Sequence, residues 1–179
     1  TLGGIRLGKA IGRGGAGVVF AGIATSGEAV AVKVLSPEFS RDTRSLQQFF
    51  QEAAALKGLD HPHIVKIRQL GVDDGYHFIS MDRVMGQSLA EEIAQRGVLS
   101  IERALAVARG VALGLAAAHE RGIVHRDIKP ENVLIGMEGE IQISDFGLAQ
   151  MEGADGKPGV VLGTAYYMAP EQCKGELVD

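Results

Sequence analysis

The run His125-Arg126-Asp127-Ile128-Lys129-Pro130-Glu131-Asn132 places a carboxylate, a lysine and a side-chain amide within one short segment. Further on, Asp145-Phe146-Gly147 offers a second carboxylate beside a glycine. Asp127 can accept a proton from a hydroxyl. Lys129 can steady a migrating phosphoryl group, and Asn132 and Asp145 can ligate Mg²⁺ through oxygen. These residue types at this spacing point to phosphoryl transfer assisted by a divalent cation. Each also has a plainer reading: Asp127 as a loop carboxylate paired with Arg126 or Lys129, and Asn132 and Asp145 as turn-forming side chains.

Such chemistry needs elements that hold the phosphates and the metal. The stretch Gly12-Arg13-Gly14-Gly15-Ala16-Gly17 has glycines where backbone N–H groups could approach phosphate without an intervening Cβ. A dinucleotide-binding turn would require a helix directly after it. Val18, Val19, Phe20 and Ala21 follow instead and read as a strand, so the loop belongs to a β-hairpin. Val30 to Leu35 is an apolar run broken only by Lys33, which reads as another strand. In Thr43 to Lys57, Leu46, Phe49, Phe50, Ala53 and Leu56 recur at helical spacing, with Asp42 or Thr43 as the start and Gly58 as the stop. Ile64 to Leu70 and His77 to Met81 read as strands joined at Asp73-Asp74-Gly75. His61 and His63 read as turn and packing residues, because no acidic or thiol partner stands at ligand spacing. Ser88-Leu89-Ala90-Glu91 is a capping-box pattern closed by Gly97. Ser100 then caps a helix running to about Glu120. That helix is apolar on nearly every face and is expected to be buried. Glu102, Arg103 and Arg109 interrupt it and argue against a membrane span.

In this order the motifs resemble the protein kinase catalytic domain, specifically eukaryotic-like serine/threonine kinases of bacterial type. The resemblance covers effectively the whole chain. It implies an α+β two-lobe fold: a small antiparallel β-sheet lobe with one helix over 1–82, then a hinge and the first part of a mainly helical lobe over 83–179. It implies ATP with Mg²⁺, or Mn²⁺ in its place, and Ser/Thr hydroxyls of protein substrates as acceptors. Ile11, Gly12, Arg13, Gly14, Gly15, Ala16, Gly17, Val19, Ala31 and Leu134 are the matching positions around the nucleotide. Lys33 matches the lysine on the α- and β-phosphates and Glu52 its helix partner; an edge-strand lysine and a solvated glutamate are the ordinary alternatives. Met81 matches the residue that gates the pocket. Asp82, Arg83 and Val84 match the hinge whose backbone reads adenine, although the family often has Glu and an aromatic at the first two. Leu56, Ile67, His125 and Phe146 match a hydrophobic stack beside it. Lys129 with Pro130-Glu131-Asn132 resembles Ser/Thr rather than Tyr kinases. Gly163 to Glu171, with Thr164 expected to bond Asp127 and Lys129, resembles the end of the activation segment. A phosphorylation site or a simple turn residue is the alternative for Thr164.

Two departures from the family stand out. The chain of 179 residues ends soon after Glu171 and begins without Met. The family's domain continues through several more helices, so the sequence is expected to be a fragment that exposes apolar surface and is poorly active alone. The second departure is that no Ser, Thr or Tyr lies between Phe146 and Leu162. Many relatives place there a phosphate that pairs with the residue matching Arg126. Glu152 or Asp155 is the candidate for a weaker fixed charge, and a merely flexible glycine-rich loop is the alternative.

Hydrophobic residues are 46% of the chain, enough for a core, and a net charge of −4 argues against general nucleic-acid binding. One cysteine, Cys173, fits a reducing, cytoplasmic setting and excludes an internal disulfide. A membrane anchor elsewhere in the parent protein, and a homodimer, are left open. Two other classes are weighed. A nucleotide-binding pseudokinase or scaffold module would lack one of Lys33, Asp127, Asn132 or Asp145, and none is missing. A small-molecule phosphotransferase seldom keeps Thr164 with Ala169-Pro170-Glu171. If no phosphate acts from the loop between Phe146 and Leu162, phosphopeptide mapping of the active protein should find no obligatory activating phosphate. One confined to Thr164, Tyr166 or Tyr167 would refute that expectation.

Overall fold

The computed structural model describes residues 1–41, 43–146 and 167–170. The chain divides into two compact units. The first comprises Thr1–Asp60 with Val65–Arg83, and the second His61–Ile64 with Val84–Asp179.

The first unit is built on an antiparallel five-stranded sheet. Its strands are β1 (Arg6–Gly14), β2 (Gly17–Ile23), β3 (Ala29–Leu35), β4 (Ile67–Asp73) and β5 (Tyr76–Asp82), in the order β1-β2-β3-β5-β4. β1 and β2 form a hairpin in which Gly14 faces Gly17, so Gly15 and Ala16 make the turn. Gly17 has φ 152°, and a Cβ there would lie 2.1 Å from the Val34 carbonyl oxygen. Only glycine fits this approach. The expected turn at Asp73-Asp74-Gly75 is present, with φ 48° at Asp74 and 77° at Gly75. Two successive left-handed residues make a tight hairpin turn. β4 begins at Ile67 rather than Ile64, because Ile64 belongs to the second unit, where it pairs in an isolated bridge with Ile143.

Strand alternation sorts this sheet into two faces. Val30, Val32 and Phe78 pack with Leu2 and Ile5 as one core cluster. A short helix, α1 (Pro37–Arg41), leads into α2 (Thr43–Lys57), which spans the segment expected from its periodicity. Phe49, Ala53 and Leu56 are its buried apolar side chains. Asp42, one of its two expected caps, lies outside the described residues.

The second unit contains a three-stranded antiparallel sheet of β6 (Gly86–Ser88), β7 (Val133–Gly136) and β8 (Ile141–Ile143), with α3 (Leu89–Arg96) and α4 (Ile101–His119). The capping box is complete. The Ser88 hydroxyl accepts from Glu91 N–H at 3.2 Å, and the Glu91 carboxylate accepts from Ser88 N–H at 2.7 Å. Gly97 ends α3 with φ 75°, and Ser100 caps α4 by accepting from Arg103 N–H.

α4 is not buried all round. Val107, Gly110, Gly114 and Ala118 form its buried stripe, while Ile101, Leu105 and Leu113 are exposed. The glycines explain which side faces inward. A Cβ at Gly114 would meet the His63 carbonyl oxygen at 2.8 Å and the Ile143 side chain at 2.9 Å, so backbone packs directly against backbone there. Val107, Val133 and Ile141 complete this core. Among the described residues no helix is long and apolar enough to cross a membrane.

Among the described residues of this unit, one charged side chain is deeply buried. Glu92 on α3 is 1% exposed and accepts two hydrogen bonds from Arg103 on α4, at 3.1 and 2.9 Å. Arg96 adds a longer contact at 3.4 Å. The hydrogen bonds from Arg103 hold the Glu92 carboxyl below its ordinary range. Arg103→Met removes the main partner of a buried carboxylate and should cost roughly 3 kcal/mol, the lower end for a broken buried pair because Arg96 remains. Glu92→Gln should cost less. A carboxyl lowered on folding stabilises above its unfolded pKa and loses that contribution as pH falls through its folded value. The gap between wild type and Arg103→Met, measured by denaturant unfolding, should therefore narrow as pH is taken below about 4.3.

Candidate active site

The second unit brings together Asp127, Lys129, Asn132 and Asp145 through two crossing loops. Asn132 ends a short 3₁₀ turn (Pro130–Asn132) and is buried. Its side-chain Nδ2 donates to the Asp127 carbonyl oxygen at 2.8 Å and to Asp127 Oδ2 at 2.9 Å. Lys129 Nζ lies 2.8 Å from the same Oδ2. One carboxylate oxygen of Asp127 is thus held by an amide and an ammonium. The other, Oδ1, is buried and has no hydrogen-bond partner among the described residues.

His125 links this loop to the Asp145 segment. Its ring is buried, with Nε2 2.9 Å from the Ser144 carbonyl oxygen, and Nδ1 accepts from Asp127 N–H at 3.2 Å. The neutral imidazole protonated on Nε2 satisfies both contacts. Burial pushes the His125 pKa down, which favours this neutral form. The ring also packs on Phe146, with centroids 4.4 Å apart. Ser144 closes the arrangement, its N–H and hydroxyl both donating to the Asn132 carbonyl oxygen.

Two residues here sit in the left-handed region: Arg126 at φ 65° and Asp145 at φ 61°. Asp tolerates that conformation through local hydrogen bonding, whereas Arg has no such help. Strained residues of this kind cost about 1–3 kcal/mol each and gather at functional sites. From sequence, His125 is legible only as part of a stack, and Ser144 is not legible at all. Nothing in a lone serine beside Asp145 signals a main-chain bridge. A left-handed arginine has no sequence signature either.

The oxygen donors suit a hard cation. With Asn132 Nδ2 committed to Asp127, its Oδ1 is the atom left to ligate, and Asp145 supplies a carboxylate. That set fits Mg²⁺, which keeps several waters and needs few protein oxygens. His61 and His63 are occupied otherwise, as expected. His63 Nδ1 lies 2.8 Å from the Ile141 carbonyl oxygen, and His61 Nδ1 accepts from His63 N–H.

In the first unit, Gly12 pairs with Val19, Val19 with Lys33, and Ala31 with Met81. Cross-strand partners share a sheet face, so Val19, Ala31, Lys33 and Met81 stand on one face. Ile11, Arg13 and Gly14 lie on β1, and Gly15 and Ala16 in the hairpin turn. Lys33 is buried on β3, Glu52 is half-buried on α2, and Asp82 ends β5. Val84 belongs to the second unit, as does Leu134 on β7. Thr164, Glu171 and the rest of the expected activation segment from 147 to 166 lie outside the described residues.

The comparisons with known proteins agree with this arrangement. The protein kinase domain family matches residues 5–178, and the chain belongs to that family. Serine/threonine-protein kinase PkaB of Streptomyces coelicolor is 41% identical over 175 residues, covering 92% of this chain and 42% of its own length. Serine/threonine-protein kinase PknL of Mycobacterium tuberculosis is 38% identical over 167 residues, with the same two coverages. The kinase domain of Mycobacterium tuberculosis PknI has this fold at a TM-score of 0.82 and 32% identity, covering 100% of this chain and 68% of that domain. The chain spans well under half the length of these curated relatives. The α+β kinase fold is therefore established for the chain, and its relatives are bacterial serine/threonine-protein kinases.

Replacing His125 by Leu strands the Asp127 N–H and the Ser144 carbonyl at once. Each buried group left unsatisfied costs about 1–3 kcal/mol. His125→Leu should lower stability by roughly 2–6 kcal/mol, measured as the shift in denaturant midpoint at constant slope. A loss under about 0.5 kcal/mol, the usual range of a surface change, would show that the two loops do not depend on the imidazole.

Proposed function

We propose that the protein transfers the γ-phosphate of Mg-ATP to Ser or Thr hydroxyls of protein substrates. The observation that carries this reading is the division of labour on Asp127. Its Oδ2 is anchored by Asn132 and Lys129, while the buried Oδ1 has no partner among the described residues and can accept a hydrogen bond. A carboxylate held at one oxygen and open at the other is suited to orient an incoming hydroxyl and take its proton.

In this reading Lys129 offsets charge on the transferring phosphoryl oxygens, and Thr164 helps hold the acceptor. Lys33, paired with Glu52, holds the α- and β-phosphates. The Gly12–Gly17 hairpin covers the phosphates with backbone N–H groups. The main chain at Asp82 and Val84 reads adenine beside Met81, with Val19, Ala31 and Leu134 against the ring. Asn132 Oδ1 and Asp145 would hold the cation, which when bound neutralises charge on the phosphates. Lys129 with Pro130–Asn132 favours Ser/Thr acceptors over Tyr. The single cysteine fits a cytoplasmic location for this domain.

The test is transfer of labelled γ-phosphate from Mg-ATP to a generic protein substrate by the full-length protein. Asp127→Asn should lower turnover by roughly 10²–10⁴ while nucleotide binding is retained. Asp145→Ala should weaken Mg-ATP binding as well. Bound nucleotide with no transfer by the wild type would favour a pseudokinase instead.

A further inference from the structure

We infer that Arg68 is a positioning residue for nucleotide binding, acting through Asp82. The inference rests on the reading that the main chain at Asp82 and Val84 recognises adenine. Asp82 is the last residue of β5, and beyond it the chain leaves the sheet. Its main-chain N–H donates to the Lys66 carbonyl oxygen at 2.9 Å. This tie sits where the β4–β5 register is irregular, next to Ile67 and Gln69. The Asp82 carboxylate accepts a hydrogen bond from Arg68 Nε. Arg68 Nη1 reaches back to Glu28, 3.7 Å away, just before β3 begins. Lys66 is itself held by Asp60 at 2.5 Å.

The residue from which the adenine-reading segment departs is therefore tied by its main chain and by its side chain. Both ties come from the β4 side. Arg68 connects the side-chain tie to the β2–β3 turn, so one guanidinium links β4, β5 and that turn at this end of the sheet. Nothing in the mechanism uses Arg68, Glu28 or the Asp82 carboxylate directly. What they set is the direction in which the backbone leaves β5. All three side chains are more than a third exposed, so the effect is modest and weakens with salt.

The test compares full-length wild type, Arg68→Leu, Asp82→Asn and the double variant, reading KM for ATP, kcat and nucleotide Kd at low and high salt. Arg68→Leu should raise KM and Kd for ATP by about two- to five-fold at low salt, the size of an exposed charge pair. Its kcat should be unchanged and the effect smaller at high salt. Because Arg68 acts through Asp82, Asp82→Asn should give the same rise and the double variant no further rise. Arg68→Lys should recover part of the loss, since it keeps the charge but not the guanidinium fork. An unchanged KM in Arg68→Leu, additive effects in the double variant, or a fall in kcat at constant KM would each overturn the inference. If wild type itself binds no nucleotide, the adenine reading fails and this inference fails with it. That outcome is distinct from a nucleotide-binding wild type whose Arg68 variants bind equally well.

Discussion

The second unit hangs on one imidazole. His125 accepts the Asp127 N–H on Nδ1 and donates from Nε2 to the Ser144 carbonyl, joining the loop that carries Asp127 and Asn132 to the loop that carries Asp145. Both contacts require the neutral ring. A proton on Nδ1 would set donor against donor at Asp127 N–H. Burial disfavours that proton, so the environment enforces the tautomer that the geometry needs. Ser144 and Asn132 repeat the link at main-chain level. The left-handed turns at Arg126 and Asp145 can then be sustained, because residues on either side of them are fixed.

Close approach of backbone is the second constraint. α4 reaches β8 and the His63 segment only because Gly110 and Gly114 stand in its buried stripe. The same segment is held by His63 Nδ1 against the Ile141 carbonyl and by Ile143 N–H against the His63 carbonyl. β8 ends at Ile143, so Ser144 and Asp145 inherit its placement. In the first unit, regular pairing from β2 through β3 to β5 does comparable work. A one-residue slip would turn Lys33 and Ala31 to the opposite face.

Much of this was legible in the sequence. The hairpin at Gly12–Gly17, the helix at 43–57, the Ser88–Glu91 capping box and the Asp74-Gly75 turn are local. Each is decided by residues a few positions apart. Asp127, Lys129 and Asn132 were also legible as a group, because one short loop brings them together. What escaped was long-range or conformational. Arg103 meets Glu92, and Arg68 meets Asp82 and Glu28, across distances that no periodicity encodes. α4 was expected to be buried within a larger domain, and among the described residues one stripe of it is buried while Ile101, Leu105 and Leu113 are exposed. Apolar content shows that a helix can be buried, but the placement of Gly110 and Gly114 decides which side is.

The chemistry then turns on how one carboxylate is shared. An aspartate free at both oxygens would rotate, and one bonded at both would have no lone pair to offer. Asn132 and Lys129 converge on Oδ2, so the side chain is oriented while Oδ1 has no partner among the described residues. The amide is in turn fixed by its second bond, to the Asp127 carbonyl, which ties side chain and main chain of the same residue to one donor. Among the described residues Oδ1 has no partner, and a buried oxygen left unsatisfied costs free energy. On the proposed reading, a substrate hydroxyl bonding at Oδ1 would relieve that cost.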